Sequence, residues 1–332
     1  MKALRLHGAG ELRLHDEPDP VPAEGEVLLR VTAVGLCGSD RHWFTEGAIG
    51  DARLDHPLVL GHEVGATILS GPRAGERVAV DPAIPCGACP VCLRGDDHLC
   101  PNGRFAGHGT TDGGLRTLVA WPERLLEPVP DWLPDPQVAL LEPLGVALHA
   151  VELGKVAAGA SVCVVGCGPI GLLLVQVAVL AGAAEVVAVE PLPHRAAAAQ
   201  AAGASAVAGG LEPGLRDRFD VVLEAAGADE ALDTALSAAA PGGRVVLVGI
   251  PDGDRSTFSA SLARRKGLTL LLARRMRSSH LARAASLVSG RRVDLGGLAG
   301  ERHPLEAGGS AWEALVSRRT LKVVVDPQQV AS

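Results

Sequence analysis

The sequence predicts an α/β chain with a mostly-β first part and a doubly wound parallel sheet in its second part. Three observations predict it. From Ala160 onward, short Val- and Leu-rich runs alternate with Ala-rich helical stretches, the order of a parallel sheet with crossover helices. The first of those runs ends in Gly166-Cys167-Gly168-Pro169-Ile170-Gly171, a G-x-G-x-x-G turn between a strand and a helix. Before Ala160 the strand-like runs are short and separated by turns such as Pro18-Asp19-Pro20-Val21-Pro22, which suits antiparallel structure.

The 332 residues fit two domains better than one. The expected division is 1–144, with 276–332 packing back on it, and 145–275. A hydrophobic fraction of 47% and a charged fraction of 21% describe a soluble globular chain. With aromatics at 2% and no Tyr, the core has to rest on Val, Leu and Ala. The formal charge of -7 argues against a nucleic-acid partner, because phosphate binding needs a basic face; Arg264-Arg265-Lys266 with Arg274, Arg275 and Arg277 is the local exception. Met1-Lys2-Ala3-Leu4-Arg5 leads into a charged, strand-like segment rather than a secretory signal. The longest apolar run, Ile170 to Ala184, is broken by Gln176 and Gly182 and is shorter than the ~20 residues of a membrane span. Seven Cys, four of them between 86 and 100, suggest metal rather than disulfides and a reducing, cytoplasmic setting.

The glycine turn carries a ligand expectation. The first Gly makes the tight turn, the second admits a pyrophosphate against the backbone, and the third lets helix and strand pack. Free N–H groups and the positive dipole end at the helix start favour phosphate charge. Glu190 follows Gly171 by nineteen residues and ends the next strand, where an acid accepts hydrogen bonds from a ribose diol. Its charge would repel a 2′-phosphate, which favours NAD, although Arg195 nearby suits that phosphate.

Three segments of the first part carry possible metal ligands. Cys37 lies in Gly35-Leu36-Cys37-Gly38-Ser39-Asp40-Arg41-His42-Trp43, and His62 and Glu63 close His56-Pro57-Leu58-Val59-Leu60-Gly61-His62-Glu63. Taken singly, Cys37 reads as a small buried thiol and His62 as a satisfied core histidine. Cys86, Cys89, Cys92 and Cys100 are sharper. Four thiolates in one Gly/Pro-rich loop suit a closed tetrahedral zinc site with no open position. An iron–sulfur cluster also takes four Cys, and a redox pair would need only two. A zinc ribbon for nucleic acid is disfavoured, since the loop sets only Arg94 against Asp96 and Asp97. Glu142 opens a helix, where a negative charge suits the dipole.

The remaining elements follow in order. Strands are expected at Lys2–His7, Glu11–His15, Glu26–Val34 and Gly114–Trp121. The parallel sheet takes Ser161–Val165, Glu185–Val189, Ser205–Val207, Phe219–Leu223, Arg244–Val248 and Leu268–Leu272. Gly249-Ile250-Pro251 forms a turn at the ligand edge of that sheet. A helix at Leu281–Ser289 and a strand at Leu321–Val325 end the chain.

With GLCGSDRHW, PLVLGHE, CGACPVCLRGDDHLC, EPLGVALHA, VVGCGPIG and LVGIP in this order, the chain resembles a zinc-containing medium-chain dehydrogenase/reductase of the sorbitol (polyol) dehydrogenase branch. The resemblance implies a GroES-like catalytic domain and a Rossmann domain. It implies catalytic zinc on Cys37, His62 and Glu63, with Glu142 as a ligand or water partner, and structural zinc on Cys86, Cys89, Cys92 and Cys100. Ser39 and His42 match proton-relay positions, and Asp40 a residue orienting the zinc ligands. Gly166, Gly168, Pro169, Ile170, Gly171, Glu190, Arg195, Val248, Gly249, Ile250 and the Ala273–Arg275 segment fall where the branch contacts NAD. Trp43, Arg274 and Arg275 fall at the substrate pocket; Trp43 and Arg275 replace the Tyr of animal polyol enzymes. Cys167 is expected to fill space without chemistry. The implied reaction is reversible oxidation of a secondary alcohol with hydride transfer to NAD, on a polyol, sugar, cyclitol or an amino alcohol such as L-threonine, by a homodimer or homotetramer. The rival from another class is a nucleotide-binding protein that keeps only structural zinc.

Overall fold

The alternating Val- and Ala-rich stretch after Ala160 folds into a wholly parallel sheet in the order Ala206–Ala208, Glu185–Val189, Ser161–Val165, Phe219–Glu224, Ala239–Leu247, Thr269–Leu272. The first strand in sequence sits in the middle and the chain winds outward both ways, which leaves a reversal point beside Ser161–Val165. The computed structural model describes residues 1–252 and 255–329. By internal contacts the chain divides into Met1–Glu142 with Arg277–Ser332, and Pro143–Met276.

In the Pro143–Met276 unit the inner strands are buried along their length, as strands covered on both faces must be. Cys163, Val187, Val222 and Val245 lie within 2% of full burial beside Phe219 and Leu236. The helix Pro169–Leu180 buries Leu172, Leu173, Leu174, Val175 and Val177. Pro169 stands at its first turn, where a missing N–H costs nothing and the fixed φ suits the helix. Gly166 has φ 88, open to glycine without strain. A Cβ on Gly171 would meet the Gly166 carbonyl oxygen at 1.9 Å, so this close packing of helix on strand requires glycine.

The other unit is built on a mostly antiparallel sheet around the long strand Glu26–Gly35, which pairs with Leu118–Pro122, Glu63–Ile68 and Val323–Asp326. Arg77–Val80 and Leu126–Pro128 extend one side and Glu301–Pro304 the other. Its core takes in Leu29, Ile68, Leu6, Leu58 and the fully buried Trp312. The Gly114–Trp121 expectation starts too early: the strand begins at Leu118. The N–H groups of Gly113, Gly114 and Leu115 instead donate to carbonyls at Val59, Gly61 and Leu60. The helix expected at Leu281–Ser289 and the strand expected at Leu321–Val325 shift to Ser278–Ser289 and Val323–Asp326, and between them the strand Glu301–Pro304 and the helix Gly308–Ser317 were not expected. Among the described residues no helix is long and apolar enough to cross a membrane.

Candidate active site and metal centres

Glu26–Gly35 delivers its C-terminal end between two partners, with Gly35 opposite Glu63 on one side and Val324 on the other. Two residues later, Cys37 starts the helix Gly38–Glu46. Asp40 fixes that start, its Oδ2 accepting the Cys37 N–H at 2.9 Å and its Oδ1 the Gly61 N–H at 3.3 Å. The first satisfies an orphan amide of the helix end; the second ties the helix to the turn carrying His62. Sequence-distant residues thereby converge.

One ligand atom from each of Cys37, His62 and Glu63 lies within 4.8 Å of the other two. The set is thiolate, imidazole and carboxylate, the donors catalytic zinc takes when a fourth position stays open. His62 Nδ1 lies 3.6 Å from Asp40 Oδ1, which leaves the other ring nitrogen toward the metal, the arrangement by which a carboxylate orients a ligand histidine. Burial opposes a charged His62, but Asp40 and Cys37 outweigh it and push its pKa well above the usual histidine value. That proton leaves when the ring takes a metal. Burial alone would raise Asp40, yet His62 and the Cys37 and Gly61 amides hold it below the ordinary carboxylate range.

Glu142 is buried at 5% exposure but stands outside the close set. Burial, with the Glu63 charge, pushes its carboxyl up to about 7. Ser39 is half-buried in the first turn of Gly38–Glu46. His42 is buried, its Nδ1 2.8 Å from Glu46 Oε1. Trp43 is a core residue at 3% exposure, its ring edge-on to His108 at 5.5 Å, while Phe105 tilts against His62 at 5.3 Å. Four residues escaped the sequence reading: Glu46, Phe105, His108 and Lys322. Of these only Glu46 left a local trace, as the i+4 acid after His42.

The loop of four cysteines closes on itself. Sulfur separations are 3.5 Å for Cys89–Cys92, 3.9 Å for Cys89–Cys100 and 4.0 Å for Cys86–Cys92. Ligands about 2.3 Å from one tetrahedral ion lie about 3.8 Å apart, so the donor set fits zinc. Backbone N–H groups of Ala88 and Cys89 pull Cys86 down to about 6, whereas desolvation and the neighbouring sulfurs push Cys92 up to about 12. Such crowded thiols ionise together only with a cation among them. All seven cysteines are free of disulfides.

In the parallel-sheet unit, Gly166, Gly168, Pro169, Ile170 and Gly171 form the strand-to-helix turn. Glu190 ends the neighbouring strand but points back into that turn: its Oε2 accepts the Cys167 N–H at 2.8 Å and its Oε1 the Leu192 N–H at 2.9 Å. It is 4% exposed. An Arg195 guanidinium nitrogen lies 3.7 Å from where a Gly168 Cβ would stand. Val248 and Gly249 donate to the Glu224 carbonyl and carry Ile250 to the surface. Arg274 is exposed and Arg275 adopts φ 56. Cys167 is fully buried, and burial pushes its thiol up to about 12, which suits a space-filling role.

Comparison with known proteins matches this geometry. Residues 23–131 match the alcohol dehydrogenase GroES-like domain and residues 169–290 the zinc-binding dehydrogenase domain. Sorbitol dehydrogenase of Bacillus subtilis (strain 168) is 30% identical, the match covering 99% of this chain and 98% of that protein. A zinc-binding dehydrogenase from Sinorhizobium meliloti 1021, bound to NADP, superposes with a TM-score of 0.88 at 30% identity over 98% of this chain and 99% of that one. L-idonate 5-dehydrogenase from Escherichia coli K-12 gives a TM-score of 0.88 at 26% identity, over 98% and 97%. The chain therefore belongs to the zinc-binding alcohol dehydrogenases of the medium-chain dehydrogenase/reductase superfamily, in the branch of the sorbitol dehydrogenases, and is a pyridine-nucleotide-dependent oxidoreductase.

Proposed function

We propose that this enzyme reversibly oxidises a secondary hydroxyl of a polyol or sugar alcohol to a ketone, with hydride passing to NAD. The observation that carries the proposal is the buried Cys37–His62–Glu63 set, whose ligand atoms lie within 4.8 Å of one another. Zinc held by these residues would supply a Lewis acid that lowers the pKa of a substrate hydroxyl, as zinc takes bound water from 15.7 to about 7, and a nicotinamide would supply the hydride acceptor. Asp40, 3.6 Å from His62 Nδ1, would keep the ring's other nitrogen turned to a metal. Ser39 would take up the hydroxyl proton while giving its own to His42, whose Nδ1 lies 2.8 Å from the more exposed Glu46 Oε1. Glu142 lies near His62 and Glu63 and would hold a water or serve as an alternative ligand. Trp43 acts on substrate shape from the core side, and Arg274 with Arg275 would complete the substrate contacts.

The glycine turn and the amides at the start of Pro169–Leu180 would hold the pyrophosphate. Each Glu190 oxygen has accepted one N–H and keeps a further lone pair, enough for a ribose diol. Its buried charge disfavours a 2′-phosphate, which supports NAD, and Arg195 would then serve the pyrophosphate side. Val248, Gly249 and Ile250 would line the nicotinamide end. A cytoplasmic homodimer or homotetramer is the setting we infer, with free thiols suited to a reducing compartment. Absorbance of reduced cofactor across polyols, sugars and amino alcohols, with NAD and NADP in parallel, tests this. The expected result is fastest turnover on a polyol with NAD. Equal use of NADP would overturn the reading of Glu190, and turnover confined to amino alcohols would overturn the substrate class.

A further inference from the structure

Lys322 is a buried cation that the reaction as described leaves unused. It is 3% exposed and Glu63 is 1% exposed. Its ammonium donates to Glu63 Oε1. Residues 259 apart in sequence meet because both neighbouring strands flank Gly35: Glu63 pairs with Gly35 directly, and Lys322 stands just ahead of Val323–Asp326 on the opposite side. The other oxygen, Oε2, is buried and lacks a hydrogen-bond partner among the described residues. It would lie 2.0 Å from a Cβ on Gly35, so glycine at that position keeps room for it. A carboxylate with one oxygen bound to an ammonium and the other bare is set to give one oxygen to a cation.

We propose that Lys322 is the positioning residue of the catalytic metal. It occupies Glu63 Oε1, so that the metal receives Oε2 alone. The inference rests on the metal reading of Cys37, His62 and Glu63. Its consequence is electrostatic: the ammonium draws charge from the ligand carboxylate, and the metal keeps more of its own. Without Lys322, Glu63 grips the ion with both oxygens and full charge. The ion is then held longer and polarises a substrate hydroxyl less.

The test compares the full-length zinc- or cobalt(II)-loaded enzyme with Lys322→Met, Lys322→Arg and Glu63→Gln/Lys322→Met. Partners of metal ligands typically change affinity or activity about 10- to 100-fold. For Lys322→Met we expect release of the second metal to a chromophoric chelator to slow about tenfold. Its kcat should fall by about the same factor at little-changed KM, with a shifted cobalt(II) visible spectrum. Lys322→Arg should restore all three. On a Glu63→Gln background, Lys322→Met should change none of them, since the lysine acts through that carboxylate. Faster metal release, an unshifted spectrum, or an equal effect on the Glu63→Gln background would overturn the proposal. Should Lys322→Met fail to fold by circular dichroism, Lys322→Leu carries the same comparison, because it too leaves Oε1 without a donor. A wild-type enzyme holding only one metal would instead overturn the underlying reading of the site. Two metals in the wild type with an indifferent Lys322 variant would overturn this inference alone.

Discussion

Gly171→Ala should remove most cofactor binding and destabilise the parallel-sheet unit by about 3 kcal/mol, the upper end of ordinary overpacking. The added Cβ would stand 1.9 Å from the Gly166 carbonyl oxygen, and neither partner is the free end of a flexible side chain. Relief requires the helix Pro169–Leu180 to lift from Ser161–Val165, which turns its amides away from a bound pyrophosphate. Gly166 is itself tied down, its N–H donating to the Val189 carbonyl at 2.9 Å. Denaturant unfolding and a titration of NADH fluorescence read the two effects. A variant of wild-type stability and wild-type NADH affinity would show that the turn does not pack as described.

Cys100→Ala should lose one metal and lower the melting temperature by on the order of 10 °C, because structural zinc contributes folding energy directly. The loop is tied into its unit beyond the sulfurs: Asp96 accepts from Arg277 at 3.0 Å and Asp97 from the Ser278 amide at 3.4 Å. Loosening the loop therefore also loosens the start of Ser278–Ser289. Turnover per folded molecule, assayed well below the transition, should persist, since four protein ligands leave no place for substrate. Loss of turnover at unchanged melting temperature would assign this loop a catalytic role instead.

Much of this was legible in the sequence because it is local. Ser161–Val165 and Glu185–Val189 were bounded to the residue, since a short apolar run between turn residues records a buried strand. The glycine turn and the four-Cys loop carry their chemistry in a few consecutive residues. What depends on register was not legible. Lys322 reads as one more surface lysine until Val323–Asp326 is known to pair with the strand ending at Gly35. Phe105, in the two-residue strand Arg104–Phe105, and His108, in the Gly-rich turn after it, have no period to betray their neighbours. Glu190 was found by spacing, yet spacing does not say that its carboxylate turns back onto Cys167 and Leu192. The strand expected at Arg244–Val248 begins earlier, at Ala239, and runs through Pro241 and Gly242 with an irregular register at that end.

Metal content of the purified wild type beside Cys37→Ala tests the central claim most directly. Two zinc ions per chain falling to one, with the fold kept by circular dichroism and alcohol oxidation lost, is the result expected of a metal held by Cys37, His62 and Glu63. A single zinc in both proteins would contradict it and leave only the four-cysteine site occupied.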